Sequence, residues 1–218
     1  SNSAVNTGGT AQGGAIYIGS SAADHSIADT TFTNNSVSGV GSGMGGAIHK
    51  ASTTALTISG SVFTGNSATT LGGAIYNNQG TVTVTSSRIE SNIAANGGAY
   101  YTVNGTAGAT DSLTGSCIVG NSATAIVDIE VSSDMTATGN WWGTSWGPQI
   151  VAAGGGSAIS GGDRISGDGV ATSGDSSADV DVGLTNAGAA DGSSVPTGDW
   201  LTSAPTVAGA ACASTSWT

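Results

Sequence analysis

The chain has 218 residues and a formal net charge of −11, with 14 acidic residues against three basic ones, Lys50, Arg88 and Arg164. Three cations cannot neutralise a phosphate backbone or an anionic lipid surface, so nucleic acid and acidic membranes are excluded as partners. Glycine at 37 positions would suit a flexible chain, but 38% apolar residues, 8% charged residues and no G-X-Y period indicate a packed core instead. No apolar run reaches the length of a membrane-spanning helix and no signal peptide opens the chain, so no membrane insertion is expected of these residues.

Two short words alternate along the first two thirds of the chain. Asn2-Ser3-Ala4 opens it in the manner of Asn35-Ser36-Val37, Asn66-Ser67-Ala68 and Asn121-Ser122-Ala123, which reads as a start in mid-repeat. Gly13-Gly14-Ala15-Ile16 follows, then Ile27 and Phe32 to Asn35. Next come Gly45-Gly46-Ala47-Ile48, then Ile58 and Phe63 to Asn66. The third round is Gly72-Gly73-Ala74-Ile75, Val84 and Ile89 to Asn92. The fourth is Gly97-Gly98-Ala99-Tyr100, Leu113 and Ile118 to Asn121, and a weaker fifth copy ends at Asn140. The spacing of about 25 to 32 residues is that of a solenoid.

Between the words, stretches such as Thr81-Val82-Thr83-Val84-Thr85 alternate apolar with hydroxylic residues, the period-two signature of strands. One such repeat cannot bury its apolar face alone, whereas parallel stacking about 4.8 Å apart buries it and pairs the backbone. The expected fold is therefore all-β, a single-stranded right-handed parallel β-helix (solenoid) over residues 1–148. A Gly, Ala and Asp-rich segment, 149–218, caps or packs on it as part of the same domain. Gly-Gly-Ala marks one corner, where positive φ and close coil approach are needed. Asn35, Asn66, Asn92, Asn121 and Asn140 mark a second corner, where Asn tolerates left-handed backbone and its amide bridges coils in an internal ladder; solvated turn residues are the alternative.

The GGAI and FxxN words resemble the repeat pair of the polymorphic outer-membrane proteins, autotransporter-like surface proteins of chlamydiae, and of other bacterial secreted β-helix proteins. Asn140-Trp141-Trp142-Gly143, Gly147-Pro148, Gly167-Asp168-Gly169-Val170 and Asp199-Trp200-Leu201 are similar to the closing segments of such proteins. The resemblance implies a secreted or cell-surface location with adhesion or display as the role, and brings no reaction centre.

At the end of the coils, Trp141 and Trp142 are suited to plug the narrow core. Seven of the twelve Asp lie between Asp163 and Asp199. They read as a solvated acidic loop, with Ca²⁺ on ligands such as Asp179 and Asp181 as the alternative, since EF-hand and nonapeptide spacings are lacking. Cys117 and Cys212 are either two separate thiols or one long-range disulfide of an oxidising compartment. No cofactor and no metal centre is expected.

Two outward columns follow from the pattern. Tyr17, His49, Tyr76 and Tyr101, each next to an inward Ile or Tyr, form either a ligand or lateral-contact stripe or a plain surface ladder. Ser26, Thr57, Thr83 and Ser112 form a hydroxylic stripe that resembles an ice-binding face, broken at Ala28. A polysaccharide lyase or hydrolase on this fold needs a cationic base or clustered carboxylates. Lys50, Arg88 and Arg164 come from different coil positions, and Asp128 and Glu130 stand alone, so enzymatic activity is not expected. The expected function is a non-enzymatic extracellular subunit that self-associates end to end into a cell-surface fibre or sheath. The alternative is a monomeric adhesin or passenger domain binding a surface glycan or host protein.

Overall fold

The computed structural model describes residues 1–20, 22–103, 111–121, 126–128, 137–143, 149–152, 164–167, 201 and 203–214, of which 126–128, 149–152 and 164–167 only in their backbone. Every described element is a strand, and no described helix is long and apolar enough to cross a membrane. The chain winds through five short walls per turn, and each wall is a parallel sheet running along the stack.

The first wall holds Ser3–Asn6, Ser36–Gly39 and Ser67–Ala68, and the second holds Thr10–Gln12 and Ser42–Met44, continued by single bridges at Leu71 and Asn96. The third and longest follows each Gly-Gly-Ala with Ile16–Ile18, Ile48–Lys50, Ile75–Asn77 and Tyr100–Thr102, and continues with Ile126–Asp128, Arg164–Gly167 and, outermost, Gln149–Ala152. His25–Ala28, Leu56–Ser59, Val82–Thr85 and Ser112–Thr114 make the fourth. Thr31–Thr33, Val62–Thr64, Arg88–Glu90 and Cys117–Val119 make the fifth, extended by a bridge from Cys117 to Trp141. The result is a parallel β-solenoid of about four turns.

Register explains the sequence words. Ile16, Ile48, Ile75 and Tyr100 are aligned, as are Ile27, Ile58, Val84 and Leu113, and Phe32, Phe63, Ile89 and Ile118. All but Ile16 and Ile27 are buried, and together they form one continuous column in which the Phe32 and Phe63 rings stack with centroids 4.7 Å apart. Each fully buried aliphatic side chain of this kind contributes about 2 kcal/mol of hydrophobic stabilisation.

At the Gly-Gly-Ala corner the two glycines do different things. The first is left-handed, with φ of 72° at Gly45. The second lets coils touch, since a Cβ on Gly46 would sit 2.0 Å from the carbonyl oxygen of Gly73. At the Asn corner the left-handed residue is not the ladder Asn but the one before it: Asn34, Gly65, Ser91 and Gly120. Glycine alternates here with polar residues because the neighbour's side chain needs the space; a Cβ on Gly65 would lie 2.3 Å from Oδ1 of Asn34.

Candidate functional site

The ladder Asn residues sit at the corner between the fifth and first walls and are spent on the coil junctions. Oδ1 of Asn66 accepts from the backbone N–H of Asn35 at 3.0 Å and from its Nδ2 at 2.8 Å, while Nδ2 of Asn66 donates to Oδ1 of Asn92 and to the carbonyl of Phe32, both at 2.9 Å. Asn92 repeats the pattern with Asn121, and Asn2 with Asn35. Asn140 is not in this column. It accepts from the backbone N–H of Ser116 and donates to the carbonyl of Leu113, which places it at the end of a second ladder made by Ser61, Ser87 and Ser116 between the fourth and fifth walls. The pairing of Trp141 with Cys117 sets this register, and an apolar-x-x-Asn match alone cannot sense it.

Tyr17, His49, Tyr76 and Tyr101 are aligned side by side in the third wall, with successive ring centroids 5.2, 4.7 and 5.8 Å apart. The stripe expected to face solvent is largely closed: Tyr17 is 52% exposed, but His49, Tyr76 and Tyr101 are buried, the two tyrosines packing with Met44, Leu71 and Val103. Burial drives the His49 pKa down to about 4 against a weaker opposing contribution from its backbone hydrogen bond with Met44. Burial, and then the neighbouring Tyr101, hold the Tyr76 hydroxyl above its ordinary value. The column is a second apolar stack, outside the main core, that needs no ligand to be covered.

Trp142 ends the core column, fully buried, with its Nε1–H unpartnered. Trp141, the next residue back along the strand, points to the opposite side and joins Cys117, Val119, Val207 and Cys212 in a separate cluster. There Cys117 and Cys212 form a disulfide, and Trp141 Nε1 donates to the carbonyl of Ala213 at 2.6 Å. Glu90, paired with Arg88 at 2.7 Å, accepts from the Ala213 N–H at 3.5 Å. A hairpin of Thr206–Val207 and Ala210–Ala211 is thereby fastened on the outer side of the fifth wall.

The group not singled out from the sequence is a buried polar corner where the third wall turns toward the fourth. Its column is Ile18, Lys50, Asn77 and Thr102, so three polar residues replace the aliphatic one of the first coil. Lys50 and Asn77 have no exposed surface, and neither has Asp111. Lys50 Nζ donates to the carbonyl of Ser52 at 2.6 Å and to that of Gln79. Asp111 accepts from Asn77 Nδ2 through both oxygens, at 3.1 and 2.8 Å, from the backbone N–H of Val82 at 2.7 Å and from the Tyr100 hydroxyl at 2.6 Å. That last bond accounts for Tyr in place of Ile in the fourth Gly-Gly-Ala copy. Burial lowers the Lys50 pKa to about 8, opposed by the Asp111 and Asp24 carboxylates. The signal in the sequence was a lysine in a position where strand alternation calls for an inward apolar residue.

Among the described residues no three His, Cys, Asp or Glu gather to hold a metal ion. Asp179 and Asp181 lie outside the described residues, as does Glu130, and Asp128 and Arg164 are described in backbone only.

Residues 29–50 and 60–78 match the model of the Chlamydia polymorphic membrane protein (Chlamydia_PMP) repeat. Each match begins at the turn into the fifth wall, passes the Asn corner and the second wall, and ends at the third. No curated protein and no solved structure matches the chain. The chain is thus a parallel β-solenoid in which two segments are similar to the Chlamydia polymorphic membrane protein repeat.

Proposed function

We propose that this solenoid is a non-enzymatic building element displayed at the cell surface, a passenger of the kind its repeats suggest, and that it associates end to end through its coils. The observation that carries this reading is the interchangeability of the coils. The junctions built on Asn35, Asn66, Asn92 and Asn121 use the same carboxamide-to-backbone and carboxamide-to-carboxamide bonds, so a coil of another chain can dock by the contacts that already join coils within one. The surface location rests on the repeat match.

Closure of the aromatic stripe supports a structural role over a ligand-binding one. The buried ladder Asn side chains and Lys50 are spent on neighbouring coils and backbone carbonyls. Negative-stain imaging of the purified chain tests the reading: filaments support the building element, while dispersed single solenoids support the adhesin instead.

A further inference from the structure

We propose that Lys50 and Asn77 are the two halves of an intramolecular isopeptide cross-link that joins the second coil to the third. The third wall aligns them in register, so their Cα atoms are neighbours about 4.8 Å apart across a parallel pair. Both side chains point inward, and neither has any exposed surface. They flank the same residue: a Cβ on Gly80 would lie 2.7 Å from Lys50 Nζ, and Asn77 Nδ2 donates to the Gly80 carbonyl at 2.8 Å. The proposal requires the Lys50 side chain to turn so that Nζ leaves the Ser52 and Gln79 carbonyls for Asn77 Cγ and Asp111.

The surroundings supply a nucleophile and a proton carrier for amide exchange. A neutral amine is the nucleophile, and the desolvation that lowers the Lys50 pKa to about 8 leaves about a tenth of it neutral at pH 7. The electrophile is the Asn77 carboxamide, whose Oδ1 is buried without a hydrogen-bond partner. A fully buried carboxylate, Asp111, grips the leaving nitrogen through both oxygens and is the proton carrier. In the step, Nζ attacks Cγ, the Nζ–Cγ bond forms and the Cγ–Nδ2 bond breaks. One proton passes from Nζ through Asp111 to Nδ2, which leaves as ammonia. No oxidant, metal or cofactor enters the balance. Lys50, Asn77 and Asp111 have no exposed surface, which disfavours hydrolysis.

Intact mass of the purified full chain, reduced at the disulfide and held at about pH 8, tests this, with peptide mapping of the 50 and 77 segments. The expected result is a chain lighter by one ammonia, with Lys50 and Asn77 recovered in one branched peptide. Lys50→Met abolishes the mass loss, and Asp111→Asn, which keeps the side chain's shape, slows or abolishes it. An unaltered mass overturns the proposal. So does an ammonia loss with Lys50 and Asn77 in separate linear peptides, which marks succinimide formation elsewhere.

Discussion

At Asn66 a single carboxamide serves three coils, accepting twice from Asn35 and donating to Asn92 and to the Phe32 carbonyl. Asn66→Ala takes away the acceptor of the Asn35 backbone N–H and Nδ2 and the side-chain donor to the Phe32 carbonyl, and the expected cost is about 3 kcal/mol, read as a lower urea midpoint at unchanged m-value. The ladder was legible from the sequence because Asn recurs at one corner at every turn. What was not legible is which residue there is left-handed, since glycine and polar residues alternate at the preceding position.

His49 gives a second residue-scale prediction. Its folded pKa is about 4 against an ordinary 6.5, so the unfolded chain binds the proton more readily. The contribution of buried neutral His49 is complete above pH 6.5 and is lost as pH falls through the window down to about 4, by up to about tenfold in the folding constant per pH unit. Chemical unfolding at several pH values checks this, and His49→Phe flattens the dependence in that window.

At the scale of elements, the third wall shows where a pattern read along one strand falls short. Alternation correctly put Tyr17, His49, Tyr76 and Tyr101 on the side away from the core. Tyr17 stays exposed, whereas Tyr76 and Tyr101 are buried against Met44 and Leu71 of the second wall and Val103, and strand alternation does not say that two outer faces meet. The buried corner was hidden for the same reason: Asp111 enters from another coil, and only register brings it to Asn77.

The hairpin at 206–211 is held by the disulfide, by Trp141 and by Glu90. Closing a loop of 95 residues restricts the unfolded chain by an amount worth about 5 kcal/mol, while the coils have their own backbone pairing. Limited proteolysis is therefore expected to cut the region around 201–213 after reduction, or in Cys212→Ser, and to leave the coils through Val119 intact. Equal protection with and without reductant contradicts this arrangement.

Across the whole molecule, low charge and coil repetition act together. Walls lined with Ser, Thr and Asn bring no like charges together when coils stack, and every junction uses the same backbone register. The solenoid itself was legible because two words alternating at a fixed order leave few other ways to bury Ile, Val and Phe. The placement of Arg164–Gly167 between Ile126–Asp128 and Gln149–Ala152 was not, because no repeated word marks that inversion.

Fibre diffraction from aligned, concentrated protein tests the central claim, that coils of separate chains stack as coils within a chain do. The account predicts filaments with a meridional reflection at about 4.8 Å that stays sharp along the fibre, as continuous coil stacking requires. Dispersed particles the size of one solenoid at every concentration, with no oriented reflection, would contradict it.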